Sequence, residues 1–200
     1  MKRNNIEIQQ KNHFIGSWYI DESLLDDLVD YFNTSHTKHK PGKLENGQLS
    51  KEKRNSIELT VSPKEIQEGK LDFFQKYFAE VSNCYKDYVT QWEYLGENLK
   101  KIYVSKFEIE KFLISGHHID YHCDRKNILS SHKAFSWITF LNDVKKDEGS
   151  LYFKYFDLSI QPKKGLTLIW PSDWTHVHRQ ESLKTQDKFI IKGNFQFTNL

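Results

Sequence analysis

Between Gly116 and Asn127 the chain reads Gly-His-His-Ile-Asp-Tyr-His-Cys-Asp-Arg-Lys-Asn, crowding three histidines and two aspartates ahead of a polar turn. On a strand, side chains alternate between faces, so His118, Asp120, His122 and Asp124 project to one side and Tyr121 and Cys123 to the other. A His-x-Asp pair offers one imidazole nitrogen and one carboxylate oxygen to the same ion. A second histidine from elsewhere completes a facial triad that leaves positions open for oxidant and cosubstrate on non-haem Fe(II). The pair can be read as His118 with Asp120 or as His122 with Asp124. The turn at Arg125-Lys126-Asn127 favours the second, because working ligands tend to lie where a strand gives way to a loop. Downstream, His176 and His178 are two residues apart, so on a strand they share a face and either reaches the ion.

These residues need a frame. The 200-residue chain fits one domain large enough for a real core, with residues 1–96 mainly helical and 97–200 mainly strand. His13 to Ile20 alternates as an edge strand. Asp21 reads as an N-cap before a helix carrying Leu24, Leu25, Leu28, Val29 and Phe32. Residues 33–55 read as a long polar loop with turns at Pro41-Gly42 and Asn46-Gly47. Ser56 to Val61 reads as a short strand, and Ser62-Pro63 opens a helix running through Phe74 and Val81 to Tyr88 or beyond. After Gly96 about eight strands follow: 101–112, 117–123, 134–141, 151–156, 158–160, 166–170, 175–178 and 189–197. The expected class is α+β, mainly β, with a barrel or double-sheet jelly-roll core and the N-terminal helices packed outside.

Composition narrows the function. The balance of 29 basic and 27 acidic residues argues against a nucleic-acid coat or a membrane-surface protein. Basic runs such as Lys51 to Arg54 read as solvated loop. Two distant cysteines, Cys84 and Cys123, do not form a secreted disulfide framework, and a reducing cytoplasm is the expected compartment. The stretch Met1 to Asn5 lacks the apolar run of a signal peptide, and no segment approaches a membrane span. Tyr121 and Cys123 are expected in the core, as are Trp137 and Trp170.

The second half carries six further parts in order. They are His122-Cys123-Asp124, then Trp137-Ile138-Thr139-Phe140-Leu141-Asn142, Glu148-Gly149-Ser150, Gln161-Pro162-Lys163-Lys164-Gly165, Trp170-Pro171-Ser172 with His176 soon after, and Lys188 before an apolar strand. This series resembles the 2-oxoglutarate- and Fe(II)-dependent dioxygenases, in their prolyl 4-hydroxylase-like branch, from about Phe107 to the C-terminus. Lys53-Arg54-Asn55-Ser56 is similar to a further segment of that branch. Phe112, Phe140 and Glu148 depart from its pattern. The resemblance implies a double-stranded β-helix with His122, Asp124 and a distal histidine as metal ligands. The family interval from Trp170-Pro171 makes His176 the expected distal ligand; the interval back from Lys188 also fits His178, which is otherwise a second-shell group or substrate contact. It also implies Lys188 as the base that binds the far carboxylate of 2-oxoglutarate, with no catalytic side chain beyond the metal ligands. His118 stands as a second-shell or alternative ligand, and Trp174 as a residue that shapes the substrate pocket. The expected activity is hydroxylation of an unactivated C–H bond with O2, Fe(II) and 2-oxoglutarate, with ascorbate as assay reductant. The expected substrate is a prolyl or other amino-acid residue in a peptide or protein, with small molecules as further possibilities. The alternatives are a non-enzymatic β-helix binding module and a cupin-like metalloenzyme using the spare His118 and His178.

Overall fold

The computed structural model describes residues 1–4, 6, 12–44, 47–99 and 102–197. Asn5, Asn46 and Lys101, at the edges of expected features, lie outside the described residues. In chain order the strands are β1 Lys2–Asn4, β2 Gly16–Tyr19, β3 Lys40–Pro41, β4 Arg54–Asn55, β5 Ile57–Val61, β6 Tyr103–Val104, β7 Phe107–Phe112 and β8 His117–His122. They continue with β9 Lys133–Phe140, β10 Leu151–Phe153, β11 Leu158–Ile160, β12 Leu166–Pro171, β13 His178–Gln180 and β14 Lys188–Gln196. The α-helices are α1 Asp26–Thr34, α2 Pro63–Gly69, α3 Asp72–Thr90 and α4 Glu93–Asn98.

Two antiparallel sheets make the frame, a mainly β jelly-roll arrangement with helices outside. The larger runs β1-β2-β12-β9-β14-β7-β5-β3, with β6 also on β14, and the smaller runs β11-β10-β13-β8-β4. The first half of the chain is therefore less purely helical than expected: it lends strands to both sheets. β4 pairs with β8 through Arg54 opposite His118, which removes Arg54 from the solvated loop predicted for it.

Strand alternation sorts the large sheet into two faces. On β9, β12 and β14, Phe135, Trp137, Ile169, Ile191 and Phe195 face the helices and pack with Leu28, Phe32, Phe74, Tyr77, Val81 and Tyr88. Ile138, Phe140, Leu168, Trp170 and Ile190 face the other way and pack with Phe112, Leu151 and Phe153 between the sheets. A polar seam under the helices is closed, with Tyr77 Oη 2.8 Å from Thr139 Oγ1, itself 2.8 Å from Thr167 Oγ1.

Local signals account for the helix boundaries. Ser62 caps α2 by accepting from Glu65 N, with Pro63 in the first turn. The expected single helix is broken in two because Lys70 takes a left-handed conformation (φ 49°) after Gly69. Asp21 caps a 3-10 turn over Glu22–Leu24, so α1 begins only at Asp26. Among the described residues no helix is long and apolar enough to cross a membrane. Cys84 and Cys123 are both buried free thiols.

Candidate metal centre

β8 and β13 build the site. His178 lies opposite His122 in their antiparallel register, and the two rings stand 4.5 Å apart between centroids. Each ring is pinned by its own backbone: His122 Nδ1 is 2.9 Å from Asp120 O, and His178 Nδ1 is 2.9 Å from His176 O. A carbonyl can only accept, so Nδ1 carries the hydrogen in both rings and Nε2 keeps its lone pair. Burial pushes the His122 imidazole down to about 3, and burial also lowers His178. Both rings are thus neutral, the form that binds metals.

Asp124, just past the end of β8, completes the trio. Its Oδ2 accepts from Asn194 Nδ2 at 2.9 Å and from Ser136 Oγ. Burial pushes its carboxyl up, but Lys133, His178 and the Ser136 bond outweigh that and hold it below the usual carboxylate range. His122, Asp124 and His178 line one cavity of about 420 Å³ with Trp170, Ile138, Leu151 and Lys192. Among the described residues no group of three or more His, Cys, Asp or Glu side chains is arranged, as it stands, to hold a metal ion. The trio is an open set of two neutral imidazoles and one anionic carboxylate, and this donor chemistry fits a divalent ion such as Fe(II).

His176, the distal ligand that the family interval selected, is placed apart from this trio. Residues 174–176 form a 3-10 turn capped by Asp173, and only at His178 does the chain rejoin a strand, so the two histidines do not share a face. His176 Nε2 sits 2.8 Å from His13 O and Nδ1 2.8 Å from Thr175 Oγ1, leaving neither nitrogen free. Trp174 is likewise placed elsewhere: it is 69% exposed and lines a surface groove with Phe14, Tyr155 and Phe156. Asp120 turns outward to an ion pair with Lys53 at 3.0 Å, so the pair at 118 and 120 is split. His118 stays inside, stacked on His122 at 4.0 Å and 18°. Tyr121 is exposed rather than core, because the outer face of the small sheet has no covering layer there; Arg179 and Lys154 lie over its ring.

Lys188 is fully buried at the inner end of β14. Its Nζ donates to Gly149 O and Gln180 Oε1, both at 2.7 Å, and lies 4.7 Å from the Phe112 ring centre. No carboxylate of the described residues pairs with it, and burial pushes its ammonium down to about 7. A buried cation held by two neutral acceptors is the kind of group a carboxylate ligand completes. Glu148, where the family pattern has glycine, ties a loop instead: its carboxylate accepts from Thr185 N at 2.9 Å, Thr185 Oγ1 at 2.5 Å and Lys184 N.

One part of the site escaped the sequence reading. Glu110, fully buried, accepts from Arg54 Nη2 at 2.8 Å and Ser56 Oγ at 2.5 Å, and pairs with Lys192 at 2.6 Å. Arg54 also pairs with Glu58. Burial would raise the Glu110 carboxyl, yet Lys192 and Arg54 hold it low, whereas burial raises Glu58 to about 7. The available signal was the two-residue period of β14, which puts Lys188, Ile190, Lys192 and Asn194 on one inward face.

Comparison with known proteins agrees with this geometry. Residues 109–196 match the family model of the 2OG-Fe(II) oxygenase superfamily. No curated protein matches the chain in sequence. In structure the chain is similar to a Pseudomonas putida prolyl-4-hydroxylase, with TM-score 0.70, 14% identity, and 93% of this chain and 94% of that chain covered. It is also similar to a Trichoplax adhaerens prolyl hydroxylase in complex with a hypoxia inducible factor oxygen degradation domain peptide fragment (TM-score 0.70, 13% identity, 94% and 86% covered). A third is the viral collagen prolyl hydroxylase of Paramecium Bursaria Chlorella virus-1 in its 2OG complex (TM-score 0.60, 16% identity, 92% and 97% covered). The fold is that of the prolyl 4-hydroxylase-like double-stranded β-helix proteins. Over residues 109–196 the chain is similar to the 2OG-Fe(II) oxygenases, a likeness that indicates an oxygenase and implies Fe(II), 2-oxoglutarate and O2 as cofactors and oxidant.

Proposed function

We propose that His122, Asp124 and His178 hold the Fe(II), that Lys188 binds the far carboxylate of 2-oxoglutarate, and that the oxidised substrate is a prolyl or other amino-acid residue in a peptide or protein. The observation that carries the metal assignment is the cross-strand pairing of His178 with His122, both Nδ1 atoms pinned, beside an ionised Asp124. When bound, Fe(II) with 2-oxoglutarate and O2 supplies the oxidising power, with succinate and carbon dioxide as co-products. The chain orients and shields. Asn194 and Ser136 hold Asp124 Oδ2 and thereby turn the carboxylate toward the two imidazoles. Trp170, Ile138 and Leu151 give the cavity an apolar wall that excludes water from the side chain to be oxidised. Gln180 and Gly149 O fix the buried Lys188 ammonium, and Gln180 also lines the cavity that holds the trio.

The substrate class is supported by the prolyl hydroxylase fold and by an apolar cavity wall that suits an aliphatic or pyrrolidine side chain. The test is succinate formation by the protein with Fe(II), 2-oxoglutarate and ascorbate over a panel of proline-containing and proline-free peptides, with a 16-Da gain located by mass spectrometry. Oxygenation confined to free nucleobases or carrier-bound groups would overturn the peptide reading. Stoichiometric Fe(II) binding by a His178→Ala protein would overturn the metal assignment.

A further inference from the structure

We propose that the mouth of this cavity, at Lys106 and Lys133, recognises a carboxylate on the substrate, so that the group oxidised lies next to an acidic one. The inference rests on the oxygenase reading and names what that site selects. It begins with the charges on the cavity wall, which carries Arg54, Lys106, Lys133 and Lys192. Two of these are neutralised within the protein. Arg54 pairs with Glu110 and Glu58, and Lys192 pairs with Glu110 at 2.6 Å and with Glu108 at 3.5 Å. Lys106 and Lys133 are not neutralised by a direct pair: no hydrogen bond or ion pair joins either ammonium to a described residue, and Lys133 acts on Asp124 only through its field. The cosubstrate does not absorb them either, because Fe(II) and Lys188 together offset the charges of Asp124 and a 2-oxoglutarate dianion.

The two lysines are also brought together by structure. Lys133 opens β9 opposite Gln196 on β14, and Gln196 Nε2 donates to Ser105 Oγ at 2.7 Å. That bond ties the turn carrying Lys106 to the strand that borders Lys133, and both lysines line the one cavity. Like charges held on a common rim repel each other, and an anion bound between them relieves the repulsion. Behind the rim the wall turns apolar with Phe107, Ile138, Leu151 and Trp170. The cavity therefore has an apolar interior for the side chain to be oxidised and a cationic entrance for its neighbour. The carboxylate comes either from an Asp or Glu flanking the target in a peptide or from the α-carboxylate of a free or C-terminal residue.

The experiment measures binding by calorimetry to the full-length protein loaded with Mn(II) and 2-oxoglutarate, which removes turnover from the readout. The probes are acetyl-Glu-Pro-Glu-amide, acetyl-Gln-Pro-Gln-amide and acetyl-Lys-Pro-Lys-amide, with acetyl-proline against acetyl-prolinamide to separate the two carboxylate sources. The acidic tripeptide, or acetyl-proline over its amide, is expected to bind about tenfold tighter than its neutral counterpart, each partly shielded ion pair contributing up to a factor of about five. The preference should shrink in high salt. It should vanish in the Lys106→Gln/Lys133→Gln protein and turn toward the lysine peptide in Lys106→Glu/Lys133→Glu. Equal affinity for acidic and neutral probes, no binding of any carboxylate probe, or a preference that survives both double variants would overturn the proposal. A tenfold loss of 2-oxoglutarate affinity in the glutamine variant would also overturn it, by moving the lysines to the cosubstrate. Mn(II) and 2-oxoglutarate titrations without peptide report separately on the oxygenase reading, so the two failures are distinguishable.

Discussion

The two faces of the large sheet are built from the same strands and do opposite things. The helix side of β9, β12 and β14 is closed by aromatic packing, Trp137 against Tyr77, Phe78 and Phe195, and its few hydroxyls satisfy one another. The inner side of those strands carries Lys188, Lys192, Asn194 and Ser136, and it concentrates the shifted titratable groups of the molecule around Glu110, Asp124 and the histidines. Both faces are packed, but the candidate site lies on the second alone. The difference teaches that charge inside this barrel is placed one strand position at a time, with each buried ion given its counter-charge except where a ligand is expected.

The sharpest break of that comparison is on the inner face. His178→Ala is expected to reduce Fe(II)-dependent succinate formation to background and to remove metal binding, whereas His176→Ala keeps activity within the roughly 10- to 100-fold typical of an outer-shell change. Fe(II) titration of the two proteins decides it, and the opposite ranking would return the distal role to His176.

Next come the two faces as stability elements. Glu110→Gln leaves Arg54 and Lys192 as uncompensated buried charges and is expected to cost about 3–5 kcal/mol. Trp137→Ala on the helix face costs a similar amount, about 3–5 kcal/mol, by opening a cavity. Urea melts separate the causes: adding Lys192→Met, which removes one of the two uncompensated cations, should recover part of the loss in Glu110→Gln and none in Trp137→Ala. No recovery in the Glu110→Gln background would mean that Glu110 acts through packing.

Lys188 provides a pH signature. Its folded pKa of about 7 lies below the ordinary value of 10.5, so between these the unfolded chain binds more protons than the folded one. The unliganded protein should therefore gain stability from this group as pH rises from about 7 to 10.5, and lose it as pH falls toward 7. In Lys188→Met that component of the pH slope disappears. The same variant should weaken 2-oxoglutarate binding by about one to two orders of magnitude, the worth of a charge-assisted contact, with Fe(II) affinity kept. Thermal melts across pH and an anaerobic 2-oxoglutarate titration read the two effects, and an unchanged titration midpoint would remove Lys188 from the cosubstrate site. The smallest expected effect is Tyr77→Phe, which deletes the bond to Thr139 under the helices for about 1 kcal/mol and leaves cosubstrate affinity unchanged.

The sequence by itself determined what local periodicity can express. That His118, His122 and Asp124 line one cavity was legible from a two-residue period, while the inward Lys188 was implied only by the family resemblance. The Ser62-Pro63 helix start followed from capping chemistry. The mainly β class with helices outside followed from the change of period after Gly96. The tertiary structure decided whatever depended on a partner far along the chain. It placed His178 rather than His176 opposite His122 because a 3-10 turn, stabilised by Asp173, uses up the residues before the strand. It turned Asp120 out to Lys53 and drew Arg54 in to Glu110, across 56 residues of sequence. It also carried Trp174 away from the cavity. A strand's period says which residues share a face, while only strand pairing says which face meets which, and the metal trio is made by one such pairing, β8 with β13.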